Sequence, residues 1–259
     1  MIDIGLNGPE DLAELQRVFE IVTVVEDLHN RLFSNSAVLE DVDSAIGQLV
    51  KDLPDPPVDI RYTITASLQA SRGCLAQIAT LIKDGVPTSP VVLQTLLRTS
   101  LLSSGRVVYM LGPEDADARL AHARVVLRQD SNSLMKAYAA FEKFEHSPSL
   151  KPGSEVLEPQ RERNRILQSW GAPIGEEKAL AAMASVVEEE MRRRGFQVDP
   201  GHFGEHITWL FHVGSGAAHG FGWPRLVPGT SSMAGIFLPD FSLVASVAHL
   251  AITVVGGGR

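Results

Sequence analysis

Cysteine is nearly missing from this chain: Cys74 is the only one. No intramolecular disulfide and no multi-thiolate metal site can form, which fits a reducing compartment. Aromatic residues are scarce at 6%, while Ala, Leu and Val supply most of the apolar mass. That mixture favours helices packed through aliphatic side chains over a β-sandwich. Basic charge is in deficit, with 23 Lys and Arg against 31 Asp and Glu and a net charge of −8. A protein that wraps nucleic acid non-specifically needs a basic footprint, so only a local basic site is left open.

Other absences narrow the chemistry. The start, Met1-Ile2-Asp3-Ile4-Gly5, has neither the basic nor the apolar region of a signal peptide. The most apolar stretch, Phe241 to Val255, is short for a bilayer span and carries Ser242, Ser246, His249 and Thr253 on one helical face. These features predict a cytoplasmic protein with no membrane partner. There is no G-x-x-x-x-G-K-[ST] and no G-x-S-x-G, and Cys74 has no nearby histidine in sequence. The glycine run Gly214-Ser215-Gly216-Ala217-Ala218-His219-Gly220 lacks the strand–loop–helix context of a dinucleotide site. No internal repeat is present.

What is present is helical periodicity over an ordinary globular composition, 44% hydrophobic and 21% charged in 259 residues. Leu12, Leu15, Phe19, Val22, Val25 and Leu32 mark an amphipathic helix from about Pro9 to Arg31. A shorter helix is predicted from Ala37 to Lys51, ended by Pro54, Pro56 and Pro57. Ile64, Leu68, Ser71, Leu75, Ile78 and Ile82 alternate by four and three, and Gly85 then Pro87 stop that helix. Its hairpin partner carries Leu93, Leu97, Ser100, Leu101, Ser104, Val107, Val108 and Leu111 on one face. Ser100 and Ser104, small and one turn apart, would let a neighbouring backbone come close. Gly112-Pro113 then opens a helix with Leu120, Ala123, Leu127, Leu134, Tyr138 and Phe141, interrupted at Asp130-Ser131-Asn132-Ser133. Further helices are expected at about Gln160–Trp170, Glu176–Arg194 and Pro200–His219. A Gly/Pro loop from Gly220 to Pro239 leads into the last one. The fold predicted is all-α: a bundle of about eight or nine helices in antiparallel hairpins, without substantial sheet. Residues 1–145 form an N-terminal bundle and 146–159 a linker or long loop. Residues 160–259 form helices packed on the first part, either as a separate unit or within one domain.

The densest polar constellation holds His202, His206, His212 and His219. His202, Glu205 and His206 spell H-x-x-E-H, in which two imidazoles one turn apart bind zinc and a carboxylate polarises water. A third ligand must come from elsewhere, and Asp240 is the only acid downstream. His212 and His219 share a face with Thr208 and Ser215 and border the apolar stripe Phe203, Ile207, Leu210, Gly214 and Ala217. His219, at a helix end beside Gly220 and one turn from Ser215, has the surroundings of a proton-transfer group. Arg98 and Arg106 on one helix, and Arg119, Arg124 and Arg128 on the next, could converge on an anion or an RNA backbone.

The run Leu93-Gln94-Thr95-Leu96-Leu97-Arg98-Thr99-Ser100-Leu101-Leu102, then Tyr109-Met110-Leu111-Gly112-Pro113 and Arg119, resembles a group of uncharacterised all-helical actinobacterial proteins. Ser215 before His219-Gly220 matches their C-terminal pattern. Leu102 stands where the group has a glutamate. The group is loosely similar to helical domains of bacterial toxin and defence systems, several of them metal-independent ribonucleases. Their arginine four to six residues before a histidine has no counterpart before His206, His212 or His219. The reading of the residues and the resemblance together put forward His219, Ser215, Arg98 and Arg119 as candidate catalytic residues, and the residue reading adds Arg106, Arg124 and His212 as candidate binding residues.

Three functions follow as expectations. The first is a self-associating helical interaction or regulatory module, a homo-oligomer needing no cofactor and open to a protein partner. The second is an RNA-directed toxin or defence protein. The third is a zinc-dependent hydrolase using His202, Glu205 and His206, the only reading that requires a metal.

Overall fold

Helical period dominates the backbone as it does the sequence. The computed structural model describes residues 8–34, 37–53, 59–171, 174–196, 201–220 and 233–257, and these contain helices and no strand. In order they are α1 (Pro9–Ser34), α2 (Ala37–Glu40), α3 (Ala45–Asp52), α4 (Ile60–Lys83), α5 (Pro90–Leu111), α6 (Ala116–Phe141), α7 (Ser154–Gln168), α8 (Glu176–Arg193), α9 (His202–Ala218) and α10 (Met233–Val255). A single 3-10 turn, Pro148–Leu150, precedes α7. Pro54, Pro56 and Pro57, and the part of the Gly/Pro loop from Phe221 to Ser232, lie outside the described residues.

Helix α5 is the axis of the molecule, packing on α4, α6, α8, α9 and α10. Its start is fixed locally: Ser89 accepts from the Val91 amide and Pro90 occupies the first turn. Asp59 and Asp115 cap α4 and α6 in the same manner. Leu93, Leu97, Leu101, Val107 and Val108 are fully buried along α5, each such side chain contributing roughly 1.5–3 kcal/mol of transfer free energy.

The serines in the α4 and α5 stripes close that interface. Ser71 and Ser100 hydroxyls lie 2.8 Å apart, and Ser100 also donates to the Ser71 carbonyl at 3.2 Å. Ser104 turns its hydroxyl back to the Ser100 carbonyl at 2.7 Å. Buried hydroxyls thus satisfy one another, and their small size lets two backbones approach. On α9, Gly214 does the same: a Cβ there would lie 2.7 Å from the Arg98 Cβ and 3.0 Å from the Gln94 carbonyl oxygen.

One buried cluster joins side chains from α1, α3 to α10. Helices α8, α9 and α10 therefore share their core with α4 and α5. The C-terminal end of α8 is held by Glu190, 3% exposed, which takes Arg193 and Arg194 at 2.7 Å each. Arg193 also reaches Glu114 in the α5–α6 turn.

Four elements depart from expectation. The helix predicted from Ala37 to Lys51 is split, because Asp41 accepts from the Asp43 amide and from the Ser44 hydroxyl, and Ser44 then caps α3. Helix α6 is unbroken through Asp130–Ser133. Ser131 and Asn132 spend their side chains on Asn164 and Gln168 of α7, at 3.1 and 2.8 Å, rather than on their own backbone. Helix α7 begins at Ser154, inside the segment read as a linker. Helix α10 begins at Met233 and carries Pro239 within it. Its window Phe237–Val255 has the length and hydropathy to cross a membrane, and 61% of it is buried within the protein. Ser242, Ser246, His249 and Thr253 form a half-buried face there, Ser242 donating to Glu14 of α1 at 2.8 Å.

Candidate functional site

Where α5 meets α4 the packing is closed; where it meets α6 and α8 it is not. A cavity of about 480 Å³ lies between these three helices, a size ordinary for small-molecule sites. Helix α6 presents it with Val125 and Val126, then Arg128, Gln129, Asn132, Ser133 and Lys136. Those polar residues recur at helical spacing, so α6 turns a polar stripe inward. Helix α5 adds Leu102, Arg106 and Tyr109. The opposite wall is apolar: Ile174, Ala179, Leu180 and Met183 around α8, and Phe211 of α9. Gly105 lets α8 close over α5, since a Cβ there would sit 2.6 Å from the Met183 sulfur.

Several polar groups of the wall are held in place. Arg106 pairs with Asp130 at 3.2 Å; burial pushes the Asp130 carboxyl up, against the pull of the Arg106 and Arg163 guanidinium groups. Arg128 is 5% exposed, and its Nη1 donates to the Gly171 carbonyl at 2.5 Å. Gly171 adopts φ +126°, which only glycine takes readily. Tyr109 is buried and stacked on His122, with ring centroids 3.9 Å apart, and His122 Nδ1 lies 2.7 Å from the Tyr109 carbonyl. Burial raises the Tyr109 phenol and keeps it a protonated donor. Among the described lining residues three are cations, Arg106, Arg128 and Lys136. Such a wall offers ion pairing and hydrogen bonds.

A second, more open groove of about 640 Å³ separates α8 from α9 and includes Glu188, Arg192, Glu205, Thr208, Trp209 and His212. Its buried carboxylate is used by the fold: Glu188 pairs with Arg192 at 3.1 Å and lies 3.4 Å from the Gly201 amide at the start of α9.

The residues singled out from sequence are dispersed. Arg98 stacks its guanidinium 4.8 Å over the Phe211 ring and packs on Gly214, which places it one residue from Ser215. Arg119 caps the α5–α6 turn through the Pro113 and Glu114 carbonyls at 2.8 and 2.7 Å, and through Gln48. The stretch from Arg98 to Leu111 is about 20 Å of helix, so Arg98 and Arg119 do not share an anion site. Arg124 lies 5.5 Å over Trp170. Of the arginine series read from the sequence, Arg106 and Arg128 line the cavity.

His219 is the exposed C-cap of α9, its amide donating to the Ser215 carbonyl at 3.0 Å, and Gly220 follows at φ +70°. That is the helix end predicted. His212 and His219 are exposed rather than bordering the core, because α9 is buried on the sides of Phe211, Val213 and Gly216 as well as along the predicted stripe.

In H-x-x-E-H, Glu205 and His206 point to different neighbours. Glu205 lines the α8–α9 groove, whereas His206 Nε2 lies 2.7 Å from Asp240 Oδ1 on α10, a direct hydrogen bond. The His202 side chain lies outside the described residues, and among those described no three His, Cys, Asp or Glu residues gather to hold a metal. Asp240 is 1% exposed and also 3.5 Å from Gln94 of α5. It stitches three helices together.

Sequence reasoning missed the cavity because Asp130–Ser133 read as a helix interruption. The signal lay in the four-residue spacing of Arg128, Asn132 and Lys136, which puts three donors on one face. Comparison of the chain with protein-family models, with characterised proteins and with solved structures finds no match, so function must be argued from the site itself.

Proposed function

We propose that the protein is a helical regulatory module that binds a small molecule between α5, α6 and α8. One observation carries this reading: α6 directs Gln129, Asn132, Ser133 and Lys136 into a cavity whose far wall is apolar. Asn132 accepts from Gln168 of α7 at 2.8 Å, whereas polar groups that face the cavity itself are satisfied by water or a ligand and gain little for folding. Ligand sites are built this way, with a few placed polar groups on an otherwise apolar surface. Helix α5, which borders the cavity, also packs on α4, α9 and α10, so occupancy can bias the contacts of the whole bundle. The RNA-directed alternative has less behind it: Arg98 and Arg124 lie on aromatic rings and Arg119 on carbonyl oxygens, and the two arginines that do share a wall, Arg106 and Arg128, face a small cavity.

The test is a thermal-shift screen of a metabolite library of mixed charge, run on wild type and on Ser133→Trp. Ser133 is exposed at the cavity wall, so tryptophan fills space without disturbing the core. Compounds that raise the melting temperature of wild type and not of Ser133→Trp are the expected result. A screen with no active compound, or with every active compound retained by Ser133→Trp, would overturn the proposal.

A further inference from the structure

Resting on that ligand-binding reading, we infer that the cavity selects an anionic amphiphile: a small molecule carrying a carboxylate, sulfonate or phosphate on an apolar body. The charge distribution is the first ground. Acids outnumber bases by 31 to 23 in the chain, yet the described lining gathers Arg106, Arg128 and Lys136. Asp130 offsets the charge of Arg106 at 3.2 Å, so the positive potential focused into the opening comes chiefly from Arg128 and Lys136. An anion is favoured there.

Geometry is the second ground. Arg128, Asn132 and Lys136 stand on successive turns of α6, a ladder about 12 Å long, running from a buried guanidinium to an exposed ammonium. Arg106 adds a guanidinium from α5. Guanidinium and ammonium groups flanking an amide are the donor set that recognises acid oxygens. Facing the ladder, Leu180, Met183 and Phe211 form a surface for an apolar body, with methionine adaptable to its shape.

Two fluorescent probes that share an aromatic body separate the charge from the cavity. One is 8-anilinonaphthalene-1-sulfonate; the other, N-phenyl-1-naphthylamine, lacks the sulfonate. Each is titrated into the full chain, into Lys136→Glu, Arg106→Gln and Ser133→Trp, with melting curves confirming folding. The sulfonate should bind wild type about tenfold more tightly than the neutral probe, and Lys136→Glu should weaken it about tenfold. Arg106→Gln should weaken the sulfonate in the same direction, while both substitutions leave the neutral probe unchanged. Equal affinity for the two probes, or a sulfonate indifferent to both charge substitutions, overturns the anion inference and leaves the ligand cavity standing. Failure of both probes to bind, or binding of both unchanged in Ser133→Trp, overturns the ligand-binding reading as well.

Discussion

Helix α5 meets α4 on one side and α6 with α8 on the other, and polar residues stand at both interfaces. Against α4 the hydroxyls of Ser71, Ser100 and Ser104 find one another or a carbonyl within 3.3 Å, and the helices close. Against α6 the polar residues are long, three of those lining the cavity are cationic, and a volume of about 480 Å³ stays open. Polarity in a helix stripe is therefore not itself a mark of function. Size and mutual satisfaction decide whether it welds an interface or holds one apart.

The largest expected effect breaks the closed side. Leu101 is fully buried on α5, and Leu101→Ala should cost about 2–5 kcal/mol through lost transfer energy and a residual void. Urea unfolding reads this as a lower midpoint at constant slope. A loss well under 1 kcal/mol would mean that the contact is loosely packed.

Much of the closed side was legible. Ser100 and Ser104 were read as a close approach, and Phe203, Ile207, Leu210, Gly214 and Ala217 of α9 are all buried as their spacing required. Periodicity records which face is covered. It does not record how far apart two helices stand, and so it could not separate the Ser131–Asn132 contacts with α7 from a break in α6. Nor could it place Arg98 against Phe211, a contact set by how α5 and α9 cross. In α1 the periodic stripe runs through His29, which the apolar pattern passed over; it is 6% exposed, and among the described residues neither ring nitrogen has a hydrogen-bond partner. Leu12, by contrast, fits the stripe and is exposed.

A second, smaller effect probes the serine weld. Ser100→Val removes the hydroxyl that meets Ser71 and adds bulk that crowds the α4 backbone. It should cost about 1–3 kcal/mol. Near-neutral stability would show that the hydroxyl pair is incidental to closure.

Acid should loosen the bundle by another route. Burial lowers the affinity of His29, His122 and His249 for a proton, with Arg72 adding to it at His29 and Arg194 at His249. At His122 the backbone hydrogen bond to Tyr109 opposes burial and is the weaker influence. Each folded value lies below the unfolded one, so the folded state binds fewer protons and stability is complete above the ordinary histidine range. It declines as pH falls through about 6.5 toward the folded values. Melting temperature should fall between pH 7.5 and 5, and His29→Leu should flatten the decline. A melting temperature that rises over this interval would contradict the burial of neutral rings.

The smallest effect on stability belongs to the open side. Gln129 lies on the cavity wall of α6, flanked in the lining by Val125 and Val126. Gln129→Leu exchanges a polar side chain for an apolar one of similar length at good helix propensity. If the stripe serves a ligand, the fold does not depend on this amide, and the substitution should leave stability within about 0.5 kcal/mol of wild type. A modest gain would fit equally, because binding residues are commonly kept at the expense of stability. If instead the stripe is structural, the lost amide leaves a buried partner unsatisfied and costs about 1–3 kcal/mol. The same measurement on Ser100→Val and Gln129→Leu thus compares a welded polar contact with an open one. A loss at Gln129 as large as that at Ser100 would erase the distinction between the two sides of α5.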